Sequence, residues 1–308
     1  MSHASAIHLR SPAHDFRMGV LLVAGSAVTW SFGGTIARFI HVDDSWTVVF
    51  WRALFAATFL LLFMLWRDGP RATAAMFRNM GLAGLGVAIC FGVASSCFVV
   101  ALQYTTVANI LLTQAAAPLF AGLLAWMVFG ERIDGATWAA IAAVIGGVAI
   151  MVSASFSGEV SPIGDGLALV ITIMFSAAIV ITRHHPEVRM TPAVCLGTAM
   201  ACVAAFFLSG PLPVSLPDLG WLFLFGAVNL GAGLAMFVTG ARLIPAALAA
   251  LVGTLEPVLG PLWVWLIHGE VPVARTIFGG AIVFAALFLH ILNDWRRQRA
   301  QKRTSPMA

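Results

Sequence analysis

Apolar residues in this chain fall in blocks of about twenty, set apart by short stretches of Gly, Pro and charged residues, and do not alternate with polar ones. Ten blocks stand out, at residues 18–40, 46–66, 80–102, 105–129 and 135–153, then at 164–183, 191–209, 218–241, 245–267 and 273–293. A bilayer's hydrocarbon core is about 30 Å thick and takes roughly 20 helical residues to cross, so each block can span it. Lipid offers no partner to an exposed peptide group, and the blocks are too long and too evenly apolar for barrel strands. They are therefore expected to be helices. The fold class this predicts is an all-α integral membrane protein of ten transmembrane helices, with residues 1–308 forming a single membrane domain.

Composition agrees: 60% of residues are hydrophobic, 10% are charged and the mean hydropathy is +0.96, outside the soluble globular range. The net charge of +4 points to lipid headgroups and not to nucleic acid, because basic residues stand singly in loops or in one cluster in the tail, residues 294–308. An inside N-terminus gathers 14 of the 17 Lys and Arg on the cytoplasmic side, from Arg10 and Arg17 through Arg132 and Arg183 to the tail. Arg38 and Arg275 fall on the outer side and Arg52 within a span. The positive-inside rule then makes both termini cytoplasmic. Cys90, Cys97, Cys195 and Cys202 all lie within blocks and read as small buried hydrophobes. The first block continues into a full span and is not read as a removable signal peptide.

The chain also repeats itself. Pro118 is followed twelve residues later by Gly130 and Glu131, and Pro257 twelve later by Gly269 and Glu270. One shift of 139 aligns both stretches and sets Gly92 on Gly231 and Phe98 on Phe237. Trp30-Ser31 followed by Arg38 matches Phe175-Ser176 followed by Arg183 at a shift of 145. The expected organisation is two five-helix repeats, residues 18–153 and 164–293. An odd number of helices inverts the second repeat in the membrane, an architecture common in secondary transporters.

On the ten-span layout, Trp30, Arg52 and the two Pro-x(11)-Gly-Glu stretches, the chain resembles the drug/metabolite transporter superfamily, EamA type, over about residues 17–293. Its exporters of aromatic amino acids are nearest in character. The resemblance implies a basket of helices one, three, four, six, eight and nine around a central cavity, with two, five, seven and ten supporting it. It also implies a bacterial inner-membrane location. The halves differ in charge, since Arg52 aligns with Gly197 and Glu256 with Ala117.

Glu256 is the one carboxylate at the centre of a membrane-length segment, and the adjacent Pro257 loosens the helix and frees a carbonyl. Such a group can bind an ammonium or a proton, or it can pair with Arg52 and fix helix packing. Arg52 could receive a substrate carboxylate; snorkelling to the outer interface or a structural ion pair is the favoured reading. Asn109, Thr113 and Ala117 share one face of helix four with Gln114 beside them, a stripe that either bonds across helices or lines a wet cavity. Trp30 sits mid-span, away from the interfaces where Trp collects, and could face a ring-bearing substrate. Ser95 and Asn229 could face the same cavity. Pro118 and Pro257 are expected helix breaks.

The predicted activity is alternating-access transport of a small metabolite, an amino acid with an apolar or aromatic side chain being the leading candidate. Glu256 would take the ammonium, Gln114 and Asn109 the carboxylate and Trp30 the side chain. Export of other metabolites or of cationic drugs, coupled to protons through Glu256, is the alternative carried forward. No nucleotide-binding loop marks an ATP-driven pump, and no cofactor or metal is called for. No intramembrane His joins Glu256, which argues against an intramembrane enzyme. The expected partners are a small-molecule substrate and the bilayer, the protein acting as a monomer or weak homo-oligomer.

Overall fold

The structure, a computed structural model, describes residues 12–131, 133–156, 161–185, 189–244 and 246–304. Arg10 and Arg132, used above to orient the chain, lie outside these residues, as do residues 305–308 and the side chains of 294–304. Among the described residues every regular element is helical. In chain order these are α1 (Pro12–Ser31), α2 (Gly33–Arg38), α3 (Ser45–Asp68), α4 (Pro70–Arg78), α5 (Gly81–Ala101), α6 (Val107–Gln114), α7 (Ala117–Phe129) and α8 (Gly135–Phe156). Then follow α9 (Pro162–His184), α10 (Met190–Leu208), α11 (Leu216–Phe223), a π-helical segment (Leu224–Ala232), α12 (Gly233–Gly240), α13 (Ala246–Gly253), α14 (Leu255–His268) and α15 (Ala274–Thr304).

Among the described residues eight helices are long and apolar enough to cross a membrane, or nine if α6 and α7, bent by 42°, count as one span. The apolar blocks predict ten. The remaining run is divided at Thr254 into pieces of 8 and 14 residues, each shorter than the roughly 20 that cross a bilayer alone. Both breaks come just before the prolines singled out above. Pro118 and Pro257 lie in the first turns of α7 and α14, where a missing N–H costs nothing. Both second pieces end alike: Gly130 and Gly269 adopt left-handed conformations with φ of 66° and 67° and donate to the carbonyls of Trp126 and Trp265. A residue with a Cβ is strained at such a φ, so Gly is required there.

The helices pack as a set of paired neighbours. α8 lies along α15 and α3 along α10. α5 packs on α9 and α10, while the π segment and α12 pack on α3 and α1. α6 and α7 rest on α9, as α13 and α14 rest on α1. The α8–α15 contact is close enough that a Cβ on Gly147 would stand 2.7 Å from the Gly279 carbonyl oxygen. Small residues at such crossings let backbones approach where lipid gives helices no hydrophobic reason to associate.

The two Gly-Glu ends anchor the bundle at opposite ends. Glu270, just past α14, pairs with Arg38 at the end of α2 (2.8 Å) and accepts from the backbone N–H of Val107, which opens α6 (2.8 Å). Arg38 in turn donates to the carbonyls of Leu102 (2.7 Å) and Thr105 (3.3 Å). At the other end Glu131, just past α7, pairs with Arg183 near the end of α9 and lies 3.2 Å from His184. The hydrogen bond from Arg183 holds the Glu131 carboxyl below its ordinary value. That pair is therefore complete at neutral pH and is lost only as the pH falls through the lowered value.

Two outcomes follow for thermal unfolding of the purified protein in detergent. Gly147→Ala is expected to destabilise by about 1–3 kcal/mol through overpacking. Gly146→Ala, where nothing lies within 4 Å, should be neutral or slightly stabilising. Equal effects at the two sites would contradict the close crossing. Glu270→Gln should cost about 1–3 kcal/mol because it weakens a partly buried ion pair and a helix-end hydrogen bond. Glu131→Gln, at the more solvated pair, should cost less, and the reverse order would contradict the geometry.

Candidate functional site

The broken and widened helices surround a central cavity of about 250 Å³. Its wall is largely apolar and rich in rings, with Trp30, Phe91, Phe98, Phe175 and Phe237 among the lining residues. The polar lining is sparse: Arg52 from α3, Ser95 from α5, Gln114 from α6, Asn229 from the π segment and Glu256 from α14.

Glu256 occupies the first turn of α14, whose N-cap residue Thr254 does not cap the helix with its side chain. A helix N-terminus presents unpaired N–H groups and favours a negative charge, which offsets part of the cost of an acid at this depth. Glu256 is half-buried and is the one carboxylate in the lining. Among the described residues it has no hydrogen-bond or ion-pair partner, so the pairing with Arg52 considered above is absent.

Arg52 does not snorkel. It is 7% exposed and turned inward, its Nη1 donating to the Ser95 hydroxyl (2.8 Å) and carbonyl (3.3 Å). The guanidinium carbon lies 4.2 Å from the ring centroid of Phe225 and 5.7 Å from that of Phe98. The favoured sequence reading fails here because a position on a supporting helix does not say which way its side chain faces. Arg52 is on the inner face, where α3 meets α5 and the π segment.

The polar stripe on helix four divides. Asn109 and Thr113 are buried and turned from the cavity; Asn109 Nδ2 donates to Asp165 on α9 (2.5 Å) and to the Thr105 hydroxyl (3.0 Å). The Ala117 carbonyl likewise accepts from Ser176 on α9 (3.0 Å). Gln114 lies about 100° further round the helix and faces the cavity.

Trp30 and Asn229 meet at the break between α1 and α2. Asn229 Nδ2 donates to the carbonyls of Thr29 (2.6 Å) and Trp30 (3.3 Å), in the last turn of α1. The Trp30 ring lies 5.4 Å from that of Phe237, and its buried indole N–H has no acceptor among the described residues. Gly233 lies against that indole, where a Cβ would collide with it. Single-turn π bulges recur at functional sites, and this segment carries Phe225 and Asn229 toward the site. Sequence reasoning misses Phe225, since one Phe among 22 carries no signal of its own. Phe98 stands out in the sequence only as a repeat match.

Membrane-length helices around a ring-lined cavity that holds one acid and one base form a polytopic transport protein. The EamA-like transporter family model matches residues 17–153 and again 162–292, and the chain belongs to this family. It is similar to the pseudopaline exporter CntI of Pseudomonas aeruginosa, in strains UCBPP-PA14 and PAO1. Identity to both is 26% over 280 residues, covering 88% of this chain and 94% of the relative. One solved crystal structure shares the fold with a TM-score of 0.59 at 18% identity, covering 90% of this chain and 98% of its own.

Asn109→Ala is expected to lower thermal stability by about 1–3 kcal/mol, because a buried hydrogen bond to Asp165 is lost. Gln114→Ala should change ligand affinity with little effect on the unfolding midpoint. Unfolding and binding measured together on both variants check this division, and swapped effects would contradict it.

Proposed function

We propose that this protein exports a small zwitterionic metabolite, an amino acid with an apolar or aromatic side chain, across the bacterial inner membrane by alternating access. One observation carries the reading: an unpaired carboxylate, Glu256, in a cavity otherwise walled by rings and aliphatic side chains. An ammonium group is the natural partner of that acid, and the rings of Trp30 and Phe237 suit an apolar or aromatic side chain. The neutral groups of Ser95, Gln114 and Asn229 line the same space. Asn109 and Thr113, buried against α9, would support the site from behind and not touch the ligand.

Alternating access requires two related halves. The twofold match to one family model supports ten helices in two inverted repeats. So does the equivalence of neighbours across the halves: α5 of the first repeat on α9 of the second corresponds to α12 of the second on α1 of the first, and α6–α7 on α9 to α13–α14 on α1. The excess of Arg and Lys at one side supports cytoplasmic termini. A relative named as a metabolite exporter supports the outward direction.

A second reading, proton-coupled exchange through Glu256, is favoured by the same lone carboxylate. Reconstitution in liposomes tests both, with labelled amino acids supplied with and without a pH gradient. Glu256→Gln is expected to lower flux about tenfold, the loss of one charge-assisted contact, and to abolish any pH dependence. Flux unchanged by this substitution at every pH would remove Glu256 from the mechanism.

A further inference from the structure

Resting on that zwitterion reading, we propose that Arg52 is the receptor for the substrate's carboxylate, presented by Ser95 and two phenyl rings. A guanidinium has five N–H donors arranged on two bidentate edges. Nη1 is occupied by the Ser95 hydroxyl and carbonyl. Nε is buried and has no acceptor, and Nη2 has none among the described residues. Nε and Nη2 together form the side-on edge, whose two parallel N–H groups match the spacing of carboxylate oxygens. The bonds to Ser95 and the flanking rings of Phe225 and Phe98 hold the group in place and leave that edge without an acceptor among the described residues.

Energetics point the same way. A cation that is 7% exposed within a membrane span is costly unless paired, and here no carboxylate among the described residues pairs with it. Glu256, of opposite sign, lines the same cavity and is likewise unpaired. A ligand with one ammonium and one carboxylate would satisfy both and leave the cavity neutral. A phosphate dianion would leave an excess negative charge in a low-dielectric space, so the arrangement selects a carboxylate. The repeat isolates this role, since the position equivalent to Arg52 is Gly197, where a Cβ would collide with the Ala88 backbone and no side chain fits.

The test uses the full-length purified protein and three probes: L-phenylalanine, L-phenylalaninamide and 2-phenylethylamine. Affinities are read from ligand-induced shifts in the thermal midpoint. Wild-type protein should favour phenylalanine over the two probes lacking a carboxylate by about tenfold or more. In Arg52→Gln phenylalanine should fall to the level of the amide while the amide and the amine keep their affinities. Arg52→Lys, which keeps the charge but loses the fork, should fall between them, and it carries the comparison if Arg52→Gln does not fold. Ser95→Ala should weaken phenylalanine alone. Variants that keep the wild-type preference, or that lose all three probes equally, would assign Arg52 to helix packing and overturn the proposal. Wild-type protein that binds none of the probes would instead overturn the amino-acid reading, and this assignment with it.

Discussion

A charge within a bilayer must find a partner or remain near water, and this chain places two charges at its centre with neither paired to the other. The rest of the site is arranged around that constraint. Glu256 is made tolerable by its place in the first turn of α14, the end of a helix that favours a negative charge. Arg52 is made tolerable by the Ser95 oxygens and by the faces of Phe98 and Phe225. Each has enough local support to exist and too little to be satisfied, which is the condition a binding site needs.

The helix breaks provide this support. An unbroken helix would consume its own N–H and carbonyl groups, leaving none for the cavity. Here α1 stops at Ser31, α6 at Gln114 and α13 at Gly253, each near the middle of the membrane-length run it belongs to. The carbonyls of Thr29 and Trp30 at the end of α1 accept from Asn229, and the start of α14 carries the acid. Proline appears at two of these breaks, and in both cases it lies in the first turn of the second piece.

Much of this is legible in the order of residues. The apolar blocks mark the helices because lipid dictates their length, and the Gly-Glu ends stand out because Gly130 and Gly269 need a conformation other residues avoid. Glu256 is visible as an anomaly. Directions around the helix axes are not visible, since a span apolar on all sides gives no periodic signal for its inward face. That is why the sequence suggests Arg52 turned outward and Asn109 turned inward, each opposite to its place in the structure. The π segment shifts register over Leu224–Ala232, and nothing in LFGAVNLGA announces an extra residue per turn.

The ion pairs at the two ends differ in hydration. Arg183 and Glu131 are 55% and 35% exposed, whereas Arg38 and Glu270 are 30% and 19% exposed and are tied to three backbone groups besides. If the carrier must break an ion pair to open each end, breaking the first exchanges a contact for water at little cost, and breaking the second strands buried donors and acceptors. On that condition the two ends would not be evenly poised in the empty protein. In such a carrier the Arg183 end would open the more readily, and the binding of a ligand would have to supply the free energy that unlocks the other.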